Sequence, residues 1–184
     1  MLKLQKQGCH NINFVTPTHV IPHIISALEL ALKKGLNIPL VYNSGGYENP
    51  EILQLLEGII DIYLPDFKYA DQDLAAKLST APDYPQTAWK ALKEMYHQVG
   101  KNILLESINN NQSIALRGMI IRHLIIPGHV ENSIDILQFI AKELSPEIHI
   151  SLMSQYHPNL YTTELQAPFN RRLQASEYYR VKEK

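Results

Sequence analysis

Cysteine is nearly absent from this chain of 184 residues, which contains one, Cys9. A single thiol excludes a disulfide within the chain and any metal site built from several of its own cysteines. Long hydrophobic runs are also missing: none reaches the roughly 18 residues that a membrane-spanning helix needs. Residues 1–8 are polar and lack the apolar core of a signal peptide. We therefore expect a cytoplasmic protein that does not insert into a membrane.

Excess charge of either sign is lacking too. The chain has 17 basic and 18 acidic residues, a formal net charge of −1, and no basic run. A nucleic acid or an anionic membrane surface is therefore not an expected partner. Hydrophobic residues make up 45% of the chain, and its length is enough to bury a core, so we expect one globular domain over residues 1–184.

Strand and helix patterns alternate along the chain. Short apolar runs predict strands at residues 10–16, 38–42, 59–64, 119–126 and 148–153. Helical patterns predict helices at residues 1–7, 20–34, 50–58, 71–78, 86–99, from Asn132 or Ser133 to about 144, and at about 171–184. Residues 102–117, around Asn109-Asn110-Asn111, predict a β-hairpin that interrupts the alternation.

Five nearly continuous apolar strands joined by helices indicate an α/β fold. Such strands form a parallel sheet that is covered on both faces or closed into a barrel. Residues 1–7 read as the end of a helix that precedes the first strand, and no earlier strand lies before it in the sequence. The sheet should therefore begin with an open edge, which either a partner covers or a truncation has exposed.

Polar residues follow every predicted strand of the main pattern. In parallel α/β folds the carboxyl ends of the strands carry the working residues, so these five segments predict a binding site at one rim of the sheet. They are residues 16–19, 43–48, 66–69, 127–129 and 154–157, with Arg122 and His123 inside the fourth strand.

Asp66 and Lys68 are two residues apart, so on a regular strand they point the same way and suit a zwitterionic or anionic ligand. A salt bridge at the rim is the alternative.

Arg122, in a buried run, needs a partner: either a carboxylate such as Asp66 or Glu48, or the carboxylate of a ligand. His157 is either a hydrogen-bonded rim residue or a catalyst. The segment from Asn43 to Gly46 is either a turn or a loop that contacts a ribose.

Taken together, the strand-end phrases HNINFVTPTH, NIPLVYNSGGYE, DIYLPDFKYAD, RGMIIRHLIIPGH and SLMSQYHP resemble a divergent branch of the radical S-adenosylmethionine superfamily. The branch is related to pyruvate formate-lyase activating enzymes, and the resemblance runs in order over residues 4–158. It implies a parallel partial (β/α) barrel of the radical-SAM type, related to the TIM barrel, from which the first strand and the cluster loop are missing here. The whole chain would then be a single incomplete barrel domain.

The resemblance also implies a set of cofactor-binding residues. Thr16 and Thr18 stand where the family has a Gly-Gly-Glu type motif, a departure that places threonine oxygens at this contact. Asn43 and Ser44 occupy the place of a Thr-Asn-Gly type loop. The family's Asp-Leu-Lys is matched by Asp66-Phe67-Lys68, its Val-Pro-Gly turn by Ile126-Pro127-Gly128, and its Tyr-His by Tyr156-His157. Of these positions, and with Arg122 added from its place in a buried strand, the expected cofactor-binding residues are Thr16, Thr18, Asn43, Ser44, Asp66, Lys68, Arg122 and His157.

For a full-length parent, the resemblance implies S-adenosylmethionine and a 4Fe–4S iron–sulfur cluster as cofactors. Its activity would be that of an oxidoreductase that generates a glycyl radical on a partner enzyme through a 5′-deoxyadenosyl radical. The family holds its cluster with three cysteines after the first strand, and Cys9 does not occupy that place. We therefore expect this chain alone to bind neither a cluster nor any other metal, and to be inactive. No catalytic residue is assigned.

Two alternatives stay open. A zinc-dependent hydrolase would require His19, Asp66, His123 and His157 to converge at a barrel mouth, although no His-x-His or His-Glu-x-x-His spacing is present. A non-catalytic binding module would use the open edge of the first strand to pair with a partner or with a second copy in a homo-oligomer.

Overall fold

The computed structural model describes residues 1–109, 112–158 and 166–184, so the central residues of the predicted Asn109-Asn110-Asn111 turn lie outside the described residues. The strands are β1 Ile12–Val15, β2 Leu40–Ser44, β3 Ile62–Pro65, β4 Leu104–Asn109, β5 Gln112–Leu124 and β6 His149–Met153. The helices are α1 Leu2–Lys6, α2 Ile21–Leu32, α3 Pro50–Gln54, α4 Gln72–Ser79, α5 Tyr84–Val99, α6 Val130–Glu143 and α7 Ala175–Lys182, with a 3₁₀ turn at Thr18–Val20.

The six strands form one mostly parallel sheet, which confirms the α/β class. β1, β2, β3 and β5 pair in that order, all in parallel, and β6 continues the series in parallel on β5. The order of the parallel strands in the sheet is thus their order along the chain. β1 pairs with β2 alone among the described strands, so the predicted open edge is present in the described part of the chain.

The predicted β-hairpin is also confirmed. β4 pairs antiparallel with the first half of β5, and β5 then continues without a break into the parallel sheet. The sequence had suggested a separate strand starting at Met119, but the 13-residue β5 joins the hairpin to the sheet. Gly118 lies at this junction with φ +136, and a Cβ there would lie 2.9 Å from the carbonyl oxygen of Asn102. Glycine therefore lets the two regions of backbone approach closely.

Side-chain caps fix the starts of two helices. The Asn49 side chain accepts a hydrogen bond from the Glu51 N–H before α3, and the Asp71 side chain accepts one from the Leu74 N–H before α4. The predicted cap of α6 at Asn132 or Ser133 is wrong. α6 begins at Val130, and both side chains are buried inside the first turn, where they serve tertiary contacts.

The two faces of the sheet differ. One face packs against the helices and carries the largest buried side chains of the core, including Tyr42, Tyr63 and Ile121. Side chains alternate along a strand, so Asn43 and Leu64 lie on the opposite face, and both are only partly buried. On that face Val15 of β1 is 67% exposed. We call it the open face. Among the described residues, no helix is long and apolar enough to cross a membrane.

Candidate functional site

The charged residues predicted from the strand ends meet on the open face. Asp66, just beyond β3, pairs as an isolated parallel bridge with Arg122 of β5, and Arg122 stands opposite Ser151 of β6. Parallel partners in register share a face, so these side chains form one row near the carboxyl ends of the strands. Lys68 follows two residues after Asp66. The sequence predicted Asp66 and Lys68 side by side and left the partner of Arg122 open between Asp66, Glu48 and a ligand; the structure pairs Arg122 with Asp66.

Asp66 lies between two cations. Its Oδ1 is 2.7 Å from an Arg122 guanidinium nitrogen, and its Oδ2 is 3.6 Å from the Lys68 ammonium. The Arg122 contact is close but is not a directed hydrogen bond, because Asp66 Oδ1 and Arg122 Nε both lack a hydrogen-bond partner among the described residues. With one carboxylate and two cations, this cluster carries a formal charge of +1. Buried polar atoms without partners favour a ligand that can satisfy them.

A cavity of about 320 Å³ opens beside this cluster. Its lining comes from the carboxyl ends of β3, β5 and β6 and from α4: Asp66, Lys68, Tyr69, Leu78, Leu124, Ile126, Met153 and Tyr156. This is the end of a parallel sheet where ligands bind in α/β proteins. A larger cleft of about 730 Å³ lies elsewhere, between α4, α6 and α7, and is lined by none of the predicted cofactor-binding residues.

The buried Tyr84 hydroxyl fixes two strand-end loops against each other. It donates to the Gly45 carbonyl at 2.8 Å, with the Asp66 carbonyl at 3.1 Å, and accepts from the Lys68 N–H at 3.0 Å. Burial raises the pKa of Tyr84, so the phenol stays protonated. One hydroxyl from α5 thereby sets the backbone on both sides of the Asp66 carboxylate.

Gly46 permits the same close approach. Its φ is +79, and a Cβ there would lie 2.0 Å from the Asp66 carbonyl oxygen. Only glycine fits both the left-handed backbone and this contact. The adjacent Ser44 is buried, and its hydroxyl accepts from the Gly46 N–H at 3.2 Å. Ser44 therefore shapes the turn from the helix-covered face, whereas Asn43 lies on the open face.

Two residues of α6 hold the segment that follows Asp66. The Asn132 side chain accepts from the Ala70 N–H at 2.8 Å and donates to the Lys68 carbonyl at 3.1 Å. Ser133 contacts His123 Nε2 at 2.8 Å, and His123 Nδ1 lies 2.7 Å from the Phe67 carbonyl. A carbonyl can only accept, so Nδ1 carries the proton and Nε2 accepts from Ser133.

His123 is therefore a structural residue. It is fully buried, and burial lowers its pKa, so the ring is neutral. Both ring nitrogens are occupied, which leaves none for a metal. Among the described residues, no group of three or more His, Cys, Asp and Glu side chains is placed to hold a metal ion. The zinc-hydrolase alternative thus gains no support from these residues.

Thr16 and Thr18, which follow β1, have different surroundings. Thr16 is exposed and has φ +50, a strained value for a β-branched residue of the kind that clusters at functional sites. The Thr18 hydroxyl donates to Glu48 Oε2 at 2.6 Å, and the Tyr42 hydroxyl donates to the same oxygen at 3.1 Å. Tyr42 is on the helix-covered face, so Thr18 anchors its turn to a buried carboxylate, while Thr16 lies at the rim.

His157 lies outside the cavity. It is exposed, and its Nδ1 contacts the carbonyl of the neighbouring Pro158 at 2.9 Å. Tyr156 lines the cavity instead, with its hydroxyl donating to the Phe169 carbonyl at 2.8 Å.

Sequence reasoning missed the residues that hold the site together. Tyr84 and Asn132 come from helices, where nothing in a helical pattern distinguishes a side chain that bonds to a distant loop. Glu48 was noted as a possible partner of Arg122, but it is the carboxylate that Thr18 and Tyr42 bind.

Comparison with curated proteins found a protein of Methanocaldococcus jannaschii, described as uncharacterized, that is 32% identical to this chain over 180 residues. The match covers 96% of this chain and 46% of the archaeal protein, so the chain spans about half the length of the curated relative it matches. No protein-family model and no solved structure matches the chain.

Proposed function

We propose that this chain is part of a radical S-adenosylmethionine enzyme resembling pyruvate formate-lyase activating enzymes, and that it forms the cofactor-side wall of the barrel. The observation that carries the proposal is the meeting of Asp66, Lys68 and Arg122 on one open face, at the carboxyl ends of sequentially ordered parallel strands. The resemblance in sequence suggests the family, and the meeting of these charged residues at the strand ends supports the proposal.

The strand order supports the finer proposal of a partial (β/α) barrel. A doubly wound sheet reverses its strand order at a switch point, where ligands bind. Here β1, β2, β3, β5 and β6 follow one another without a reversal, as in a barrel that is wound in one direction. The open face, where Val15 is 67% exposed and polar side chains lie near the strand ends, agrees with the interior of such a barrel.

The residues fit part of S-adenosylmethionine. The methionine carboxylate suits the Arg122 side of the +1 cluster of Asp66, Lys68 and Arg122, because Arg122 Nε has no hydrogen-bond partner among the described residues and can donate to it. Asn43 and the strained Thr16 offer further polar groups at the same edge. The cofactor, when bound in a complete enzyme, supplies radical chemistry. This chain would supply the charge and the positioned loops.

The residues do not fit a 4Fe–4S cluster. Such clusters are held by several thiolates, and Cys9 is the single cysteine of the chain. We therefore derive no reaction step through a cluster on this chain, and we propose that the chain alone is inactive. The three cysteine ligands would belong to a longer parent, as would the glycyl-radical partner enzyme that the resemblance implies. We also propose a cytoplasmic location.

A binding module is the second candidate, and one observation favours it. β1 is a sheet edge in the described part of the chain, and Val15 there is 67% exposed. An exposed edge pairs readily with another strand, either of a partner or of a second copy.

The coding DNA upstream of Met1 separates these candidates. A continuing reading frame that encodes a strand followed by Cys-x-x-x-Cys-x-x-Cys, or a close variant, is the expected result. A stop codon with a ribosome-binding site directly upstream would contradict the radical enzyme and favour the binding module. As a second readout, electron paramagnetic resonance of this chain after anaerobic reconstitution should show no cluster, and a cluster signal would refute its inactivity.

A further inference from the structure

The cavity of about 320 Å³ at the ends of β3, β5 and β6 is apolar on its inner wall. Leu124 and Met153 stand opposite each other on β5 and β6, on the open face. Leu78 and Ile126 extend this wall. The volume lies near the lower end of the roughly 300–1,000 Å³ range of small-molecule pockets. It suits a ligand the size of one aromatic ring with a short chain.

The two phenols that line the cavity contribute their rings, because each hydroxyl already has a partner. The Tyr156 hydroxyl donates to the Phe169 carbonyl at 2.8 Å, and the Tyr69 hydroxyl contacts Ser79 Oγ at 2.9 Å. The polar groups left for a ligand are therefore the charged ones, Asp66 and Lys68, which both line the cavity.

Lys68 is the cation that remains available. Arg122 is nearer to Asp66, at 2.7 Å, than Lys68 is, at 3.6 Å. Arg122 is therefore the closer ionic partner of the Asp66 carboxylate. No acceptor among the described residues hydrogen-bonds the Lys68 ammonium, and its side chain is 43% exposed. An ammonium beside an apolar cavity is a site for one negative charge attached to an apolar body.

We propose that this cavity binds a small amphiphilic carboxylate, with its carboxylate on Lys68 and its apolar body between Leu124, Met153 and Tyr156. This inference rests on the proposed radical enzyme for the ligand's role: the substrate of the complete enzyme would be such a small molecule, which departs from the glycyl-radical partner that the resemblance implies. Binding itself is a property of this chain and needs neither cofactor nor cluster.

The test is a titration of this chain with three probes, in which binding is monitored by NMR signals of the protein. The probes are 3-phenylpropanoate, its neutral counterpart 3-phenylpropan-1-ol, and acetate, which has the charge without the apolar body. The variants are Lys68→Met, which keeps the aliphatic stem, and Met153→Gln, which makes the wall polar at similar volume. Lys142→Met is the matched control, because the Lys142 side chain on α6 is 80% exposed and its ammonium has an ion pair only with Glu143 among the described residues.

The wild-type chain should bind 3-phenylpropanoate about tenfold more tightly than either of the other probes, because each lacks one of the two interactions. Lys68→Met should weaken the carboxylate about tenfold and leave the alcohol unchanged. Met153→Gln should weaken both aromatic probes, and Lys142→Met should change nothing. The inference would be overturned if 3-phenylpropanoate bound no more tightly than the alcohol or than acetate. It would also be overturned if Lys142→Met weakened binding as much as Lys68→Met, or if 3-phenylpropanoate did not bind.

The outcomes distinguish this inference from the proposed function. None of the probes resembles S-adenosylmethionine. A parent enzyme that cleaves the cofactor, while this chain rejects all three probes, would overturn the amphiphilic substrate and leave the radical enzyme standing. If the chain binds 3-phenylpropanoate but no cluster motif is encoded upstream, the binding site would stand and the radical-enzyme proposal would be contradicted.

Discussion

The Tyr84 hydroxyl is one atom that joins three backbone groups, so removing it should have a cost that can be estimated. Tyr84→Phe keeps the ring, which is 4% exposed, and its edge contact with Tyr69. It deletes the acceptor of the Lys68 N–H and the donor to the Gly45 and Asp66 carbonyls. An unsatisfied buried group costs roughly 1–3 kcal/mol and a lost hydrogen bond about 1 kcal/mol. We expect the free energy of unfolding to fall by about 2–4 kcal/mol.

Urea unfolding followed by circular dichroism measures this change. The matched control is Tyr179→Phe, since Tyr179 is 57% exposed and its substitution should change the free energy of unfolding by less than about 0.5 kcal/mol. Because Tyr84 positions the backbone around Lys68, the variant should also bind 3-phenylpropanoate more weakly under conditions where it is fully folded. If Tyr84→Phe were as stable as Tyr179→Phe, the hydroxyl would not hold these loops, and the reasoning would be refuted.

Three further predictions concern the same scaffold and the α7 region. Gly46→Ala should lower the free energy of unfolding by at least about 2 kcal/mol, from the left-handed backbone and the clash with the Asp66 carbonyl; a variant as stable as wild type in urea would refute the close approach. Asn132→Ala should cost about 1–3 kcal/mol, because two backbone groups after β3 lose their partners, and unchanged amide hydrogen exchange in that segment would contradict this. The hydrogen bond from Arg171 lowers the pKa of Glu177 to about 2, below its ordinary 4.5, so its stabilising contribution is present above about pH 4.5 and is lost as the pH falls towards 2. The stability difference between wild type and Glu177→Gln should therefore shrink over that range in urea unfolding, and a difference independent of pH would count against the ion pair.

The sequence predicted the elements well because its signals are local. Apolar runs, helical patterns and the hairpin pattern all come from neighbouring residues, and the structure contains strands, helices and a hairpin near the predicted places. The start of α6 was wrong for a physical reason. Asn132 and Ser133 are good capping residues, but tertiary hydrogen bonds to Lys68 and His123 use their side chains instead. A single sequence does not show such long-range bonds.

The site was predictable in part. Parallel strands bring their carboxyl ends together, so Asp66 and Lys68 could be predicted at one edge of the sheet, with Arg122 in another strand of the same sheet. Their distances, and the choice of Asp66 rather than Glu48 as the partner of Arg122, depend on register. The cavity depends on side chains from β5, β6 and α4 together, which no short motif encodes.

Cleavage of S-adenosylmethionine tests the central claim most directly. The protein to use is the complete natural product of the reading frame, purified and reconstituted with iron and sulfide without oxygen, then reduced with dithionite. The proposed function predicts that it releases 5′-deoxyadenosine, and that Arg122→Met in this chain's segment lowers the yield at least about tenfold, by loss of charged contacts to the cofactor carboxylate. A reconstituted protein that releases no 5′-deoxyadenosine would contradict the account, as would an Arg122→Met variant with the wild-type yield.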